Sequence, residues 1–185
     1  MAKIVSEDTI HIMLGKWNAF YAGVEKPFPY GDVTTYKKAI DFLEDGCEII
    51  HDWGCGAGFA GTLVKKAQYV GIDGSWSRMA HVIADLREFR NEVDGILMRH
   101  ILEHNFDWKL VLENALASFK KKFVLILFTP FVEATREIAM NEIGVPDMAF
   151  RKEDLTGLLK PFRFTEESLK TNTQYGVEHI FYITK

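Results

Sequence analysis

The stretch Ile49-Ile50-His51-Asp52-Trp53-Gly54-Cys55-Gly56-Ala57-Gly58-Phe59 concentrates residues able to hold a ligand. A short β-leaning run enters three alternating glycines, where a backbone can turn tightly and approach a ligand that a Cβ would repel. Asp52 places a negative charge at the tip of that strand, and a second β-leaning run ends at Asp73, 19 residues beyond Gly54. A carboxylate about 20 residues past such a loop is spaced to accept from ribose hydroxyls, so the pattern points to a nucleotide-type ligand. Two details weigh against a dinucleotide. Its third glycine belongs at position 59, which is Phe59, and Asp52 repels a pyrophosphate while suiting a cation. A nicotinamide-dependent oxidoreductase is therefore the weaker reading.

A second group of reactive side chains lies at Arg99, His100, Glu103 and His104. Histidines four apart share a face if the segment is helical, which raises a metal site. Glu103 is not where a zinc-protease helix needs it, and the segment follows a strand, so no metal is assigned. Arg99 and His100 fall at a strand's carboxyl end, where open α/β sheets bind ligands. His104 is the candidate base or polar lid, with His100 the second catalytic candidate. Cys47 and Cys55 are too few for a disulfide framework or a zinc site, and neither reads as a nucleophile; reduced thiols in a cytoplasmic setting are expected.

Elements that could position these groups follow from periodicity. Ile10, Met13, Leu14, Trp17, Phe20 and Tyr21 predict an amphipathic helix over Thr9–Tyr21, and Tyr36, Ala39, Ile40 and Leu43 another over Thr34–Leu43, stopped by Gly46. Between them Gly23, Pro27, Pro29 and Gly31 predict a loop. Strands are expected at Glu48–His51, Gln68–Ile72, His81–Ala84, Val93–Met98, Phe123–Phe128, Phe162–Leu169 and Val177–Thr184. Helices are expected at Ala60–Ala67, Trp108–Phe119, Thr135–Ile143 and Glu153–Leu159, with Lys120, Lys121 and Lys122 complementing the dipole where the second of these ends. Alternating strands and helices predict a largely parallel sheet covered on both faces, closed by an antiparallel edge.

On these motifs the sequence resembles the class I S-adenosylmethionine-dependent methyltransferases. Asp52-Trp53-Gly54-Cys55-Gly56-Ala57-Gly58 is similar to their first motif and Val70-Gly71-Ile72-Asp73-Gly74-Ser75 to their second. Asp85-Leu86 resembles the adenine-contacting step, and Ile101-Leu102-Glu103-His104 the segment after the fourth strand. The resemblance implies an α/β, Rossmann-like, doubly wound sheet of seven mostly parallel strands, the last antiparallel, with an N-terminal helical cap. It implies S-adenosylmethionine as cofactor and S-adenosylhomocysteine as product. Gly54, Gly56 and Gly58 would lie beneath the methionyl part, Asp52 would orient its amino group, and Asp73 would take the ribose hydroxyls. Gly74, Ser75, Asp85 and Leu86 would follow the adenine edge, with Arg99 also at the cofactor. Tyr21 and Tyr30, from the aromatic set that includes Trp17, Phe20, Phe28 and Tyr36, would close the cap. One departure stands out: the interval from Asp73 to Asp85 is too short for the family's usual helix and strand, so either a turn around Ser77–Met79 replaces that helix or Asp85 is not the adenine-contacting acid.

The acceptor is bounded by what is missing. Leu97-Met98-Arg99-His100 is not the acidic-or-Asn, Pro, Pro, aromatic series of amino-methylating DNA enzymes, and Pro130 precedes Phe131 rather than a nucleophilic cysteine. His100-Ile101-Leu102-Glu103-His104 only partly echoes the metal motif of RNA ribose methyltransferases. The chain has 185 residues, 48% hydrophobic, with a formal charge of -4, which removes any general attraction for nucleic acid. The length predicts one domain over 1–185; the resemblance divides it into a cap at 1–46 and a core at 47–185 and, with the negative charge, implies a small-molecule acceptor. No leader is visible in Met1–Thr9 and no membrane span is expected. Oligomeric state is not assigned, and a cofactor-binding module without chemistry stays open as an alternative.

Overall fold

The computed structural model describes residues 7–185; Met1–Ser6, which carry most of the stretch read for a leader, and the Ile10 side chain lie outside the described residues. Helix α1 (Glu7–Tyr21) carries Glu7 and Asp8 in its first turn, where acids suit the dipole. Helix α2 (Val33–Glu44) is capped by Asp32, whose carboxylate accepts from the Thr34 N–H at 2.7 Å. Its stripe of Tyr36, Ala39, Ile40 and Leu43 is buried as the periodicity predicts.

Seven strands form the main sheet: β1 (Ile49–Trp53), β2 (Gln68–Asp73), β3 (Val82–Ile83), β4 (Val93–Arg99), β5 (Phe119–Leu127), β8 (Arg163–Lys170) and β9 (Val177–Thr184). Their order is β3-β2-β1-β4-β5-β9-β8, all parallel except β9, which runs antiparallel to both neighbours. Strand alternation divides the core in two. Ile96, Met98, Phe123, Leu125 and Phe181 face helices α3 (Trp108–Ser118) and α4 (Lys152–Leu159), whereas Leu97, Val124, Ile126 and Ile180 face α2. Both faces are thus covered, giving the doubly wound Rossmann-like architecture. Successive strands are added to one side of β1 as far as β3 and to the other side from β4 on, and this switch between parallel neighbours β1 and β4 opens a crevice at their carboxyl ends.

Three expectations fail, each through a tertiary contact. Ala60–Ala67 is not a helix; only a 3-10 turn forms at Phe59–Thr62. The N–H groups of Lys65, Lys66 and Ala67 all donate to one Glu44 carboxylate oxygen, at 2.6, 2.5 and 3.1 Å, instead of to carbonyls four residues back. Thr135–Ile143 is also not a helix. Strand β6 (Arg136–Met140) pairs antiparallel with β7 (Pro146–Ala149) in a separate hairpin, turned by Asn141 and by Gly144 at φ 74°. Finally, Lys120, Lys121 and Lys122 lie inside β5 rather than at a helix end. Lys121 pairs with Asp94 at 2.9 Å and Lys122 with Asp45 at 3.0 Å.

β1 runs two residues further than the expected strand, to Trp53. The expected turn after β2 is present: Ala80 N–H closes on the Ser77 carbonyl, and no helix separates β2 from β3. Among the described residues no helix is long and apolar enough to cross a membrane, and no group of three His, Cys, Asp or Glu side chains is placed to hold a metal ion.

Candidate active site

A cavity of about 670 Å³ fills the crevice at the carboxyl ends of β1, β2 and β4. Its floor is the glycine loop. Gly54 and Cys55 donate backbone N–H groups to the Ile72 carbonyl, and Gly56 N–H donates to Asp73 Oδ2 at 2.8 Å, so the loop is pinned to the end of β2. Gly54 and Gly56 have φ of 74° and 49°, and a Cβ on them would run into Ile101 and into the Tyr21 hydroxyl. Only glycine permits that closeness. Gly58 turns the chain with φ 69° but packs on Met79, and neither it nor Gly56 lines the cavity; Gly54 and Cys55 do.

Two buried carboxylates flank the loop. Asp52 accepts from the Tyr69 hydroxyl at 2.7 Å. Burial pushes its pKa up to about 7, against the hydrogen bond from Tyr69, with Asp73 nearby pushing the same way as burial. Asp73 Oδ1 accepts from the Ser75 N–H and hydroxyl at 2.8 and 2.6 Å, in addition to the Gly56 bond on Oδ2. Gly74, Ser75, Asp85 and Leu86 line the same side of the cavity. Asp85 is tied to the Arg87 guanidinium, Oδ2 at 2.5 Å from Nη2. Burial raises its pKa, but the hydrogen bonds from Arg87 outweigh that and hold it below the usual range.

Tyr21 and Tyr30 come together over the loop, the Tyr30 hydroxyl donating to that of Tyr21 at 3.1 Å. Burial raises both pKa values, Tyr30 to about 12, so both stay neutral phenols. Trp17 stacks on Tyr21 at 5.8 Å and continues the aromatic roof.

The Arg99–His104 segment divides into two roles. Arg99 Nη2 donates to Glu178 Oε1 at 2.6 Å and its Nε to the Thr35 hydroxyl at 3.2 Å, while the guanidinium lies 3.8 Å over Tyr36. It reaches the cavity wall, yet its donors brace α2 against β4 and β9. His100, at φ 59°, has Nε2 2.7 Å from the same Glu178 oxygen and Nδ1 3.4 Å from the Arg99 guanidinium. Burial and the adjacent Arg99 hold its pKa well below the ordinary value. Both its nitrogens are engaged. His104, in a 3-10 turn at Leu102–His104, instead has Nδ1 3.1 Å from the Pro146 carbonyl and 3.4 Å from Asp147 Oδ1. Burial lowers its pKa, but Asp147 and Glu103 outweigh burial and raise it.

Asp147, Tyr175 and Glu178 are not identified by the sequence patterns. Asp147 sits on β7, inside the hairpin whose first strand reads as helical, and Glu178 sits on an ordinary alternating strand. Among the charged side chains of a largely apolar wall acids outnumber bases: Asp52, Asp73, Asp85, Glu142 and Asp147 line it, and Arg87 and Arg99 are each paired with a carboxylate.

No protein-family model matches the chain, and no curated protein does. Solved structures share its fold. A 1,6-didemethyltoxoflavin-N1-methyltransferase of Burkholderia thailandensis, with bound 1,6-didemethyltoxoflavin and S-adenosylhomocysteine, is 16% identical with a TM-score of 0.70, covering 100% of this chain and 92% of that one. The magnesium protoporphyrin IX methyltransferase of Synechocystis with bound S-adenosylmethionine is 13% identical with a TM-score of 0.65 over 100% of both chains. An S-adenosylmethionine-dependent methyltransferase of Archaeoglobus fulgidus is 16% identical with a TM-score of 0.63, covering 82% of this chain and 92% of that one. The chain therefore has the class I S-adenosylmethionine-dependent methyltransferase fold.

Proposed function

We propose that the protein is an S-adenosylmethionine-dependent methyltransferase acting on a small-molecule acceptor. The observation that carries this reading is the pair of buried carboxylates, Asp52 and Asp73, flanking a glycine loop in an acid-lined cavity. Such a site favours a ligand that joins a cationic part to a nucleoside and disfavours a pyrophosphate. The missing Cβ atoms of Gly54 and Gly56 let Ile101 and the Tyr21 hydroxyl close against the loop, and Gly54 and Cys55 face the cavity.

In this reading Asp52 faces the cofactor's ammonium group and Gly54 and Cys55 its methionyl chain. Asp73, oriented by Ser75 and Gly56, accepts from ribose, and Gly74, Asp85 and Leu86 follow the base. Tyr21 and Tyr30 cover the site and exclude water. Bound there, S-adenosylmethionine supplies a methyl carbon on a cationic sulfur, which keeps the bonding pair when a nucleophile takes the carbon. The chain's remaining task is to orient an acceptor and remove its proton where it has one. Both His100 and His104 line the cavity; His104 suits that task because its partners are all on Nδ1, whereas both nitrogens of His100 are occupied by Glu178 and Arg99. Two of the similar structures are of enzymes named for ring compounds, 1,6-didemethyltoxoflavin and magnesium protoporphyrin IX, in keeping with an aromatic-roofed cavity.

The test is transfer of a labelled methyl group from S-adenosylmethionine to a panel of small hydroxyl and ring-nitrogen acceptors. Turnover abolished by Asp73→Ala is expected. Tight cofactor binding with no transfer to any acceptor would favour a binding module instead.

A further inference from the structure

The carbonyl oxygen of Pro146 can only accept a hydrogen bond, so the 3.1 Å contact puts the proton of neutral His104 on Nδ1. Nε2 is then the bare nitrogen. It has no partner among the described residues, and the ring lines the cavity between Trp17 at 5.2 Å and Phe128 at 5.6 Å. Behind the ring stands Asp147, wholly buried, with Oδ2 accepting from the Tyr175 hydroxyl at 2.8 Å. Its Oδ1 lies 3.4 Å from His104 Nδ1 and is otherwise unpartnered. A carboxylate held in that place fixes the tautomer and stabilises the imidazolium formed when Nε2 takes a proton. The other ionisable groups near the ring are Glu103 on its own turn and His100 at the end of β4.

The lining also selects what can approach Nε2. Its acids disfavour an anionic acceptor, and neither Arg87 nor Arg99 is free to neutralise one. Trp17, Phe20 and Phe128 offer flat apolar surface. An imidazole base takes the proton of a phenol, whose pKa is about 10, more readily than that of the far less acidic aliphatic alcohol. Resting on the reading above, we propose that Asp147, held by Tyr175, is a positioning residue that directs His104 Nε2 at the hydroxyl of an uncharged, planar, phenol-type acceptor. The O–H proton passes to Nε2, and the oxygen uses the electron pair it keeps to form the new bond to the methyl carbon. As it forms, that carbon's bond to the cofactor's sulfur breaks with its pair left on sulfur, and the imidazolium later loses its proton to solvent.

The test uses the full chain saturated with S-adenosylhomocysteine, with ring-labelled histidine followed by NMR and the His104 signal assigned by its loss in His104→Gln. Adding 2-naphthol should shift His104 saturably while leaving His100 in place, and 2-methoxynaphthalene, which has no proton to give, should bind at least tenfold more weakly. Asp147→Asn should lower the His104 titration midpoint and weaken 2-naphthol binding several-fold without changing S-adenosylhomocysteine affinity; Tyr175→Phe, which keeps the carboxylate, should do the same to a smaller extent. Equal binding of the two naphthalenes, no response of His104 to 2-naphthol, or a midpoint unmoved in both variants would overturn the proposal. Failure of S-adenosylhomocysteine to bind would instead overturn the reading it rests on, and the titration of His104 in the two variants would still decide the role of Asp147.

Discussion

Replacing Asp52 by Asn sets stability against binding in a way the structure quantifies. Asp52 is buried, and its pKa rises from 3.8 to about 7. A carboxylate raised on folding contributes stability that is complete below its unfolded pKa and is lost as pH rises through the folded one. In the wild type the loss therefore accumulates between about pH 4 and pH 7. At 1.36 kcal/mol per unit it reaches roughly 4 kcal/mol above pH 7, of which about 3 kcal/mol accrues beyond pH 5. Asn keeps an acceptor for the Tyr69 hydroxyl but cannot ionise, so Asp52→Asn removes this pH-dependent cost. Thermal unfolding without ligand should show the variant gaining about 5–10 °C on the wild type between pH 5 and pH 8.5. Calorimetry with S-adenosylmethionine should show the opposite. Loss of a charge-assisted hydrogen bond costs about 1.5–3 kcal/mol, roughly a ten- to hundredfold weaker affinity at pH 8. A stability difference independent of pH, or unchanged affinity, would refute the reasoning.

Arg99→Met leaves Glu178 buried without its guanidinium partner and should cost about 3–5 kcal/mol in urea unfolding, most of it recovered by adding Glu178→Gln. Gly56→Ala forces a side chain into a left-handed backbone and against the Tyr21 hydroxyl; it should lose about 1–2 kcal/mol and weaken S-adenosylhomocysteine binding, with Tyr21→Phe restoring part of both. Glu44→Ala frees three backbone N–H groups at once, so amide exchange at Lys65, Lys66 and Ala67 should accelerate at least tenfold, while the Gly54–Gly58 loop stays protected.

What was legible in the sequence was local. Gly54, Gly56 and Gly58 announce their loop because positive φ excludes other residues, and Asp73 follows from the length of one strand and one connection. The alternation through β4, β5 and β9 is likewise a property of each strand alone. Distant partners decided much of the rest. Arg99 reads as a cofactor contact at a strand end, but Glu178, 79 residues later, takes its charge. Residues 60–67 have helical composition, yet Glu44 offers their N–H groups a better partner. Asp147 stays hidden for a local reason: helical spacing in Arg136–Met140 masks the hairpin that this strand forms with Pro146–Ala149, and misdirects the reading of both strands. With it went the group behind His104, so the sequence identifies the candidate base without showing what orients it.

Calorimetric titration of S-adenosylhomocysteine into the wild-type protein, with NADH as the control, tests the central claim most directly. A single-site isotherm that Asp73→Ala weakens at least tenfold, and no heat from NADH, is the predicted result. Absence of binding, or NADH binding as tightly, would contradict it.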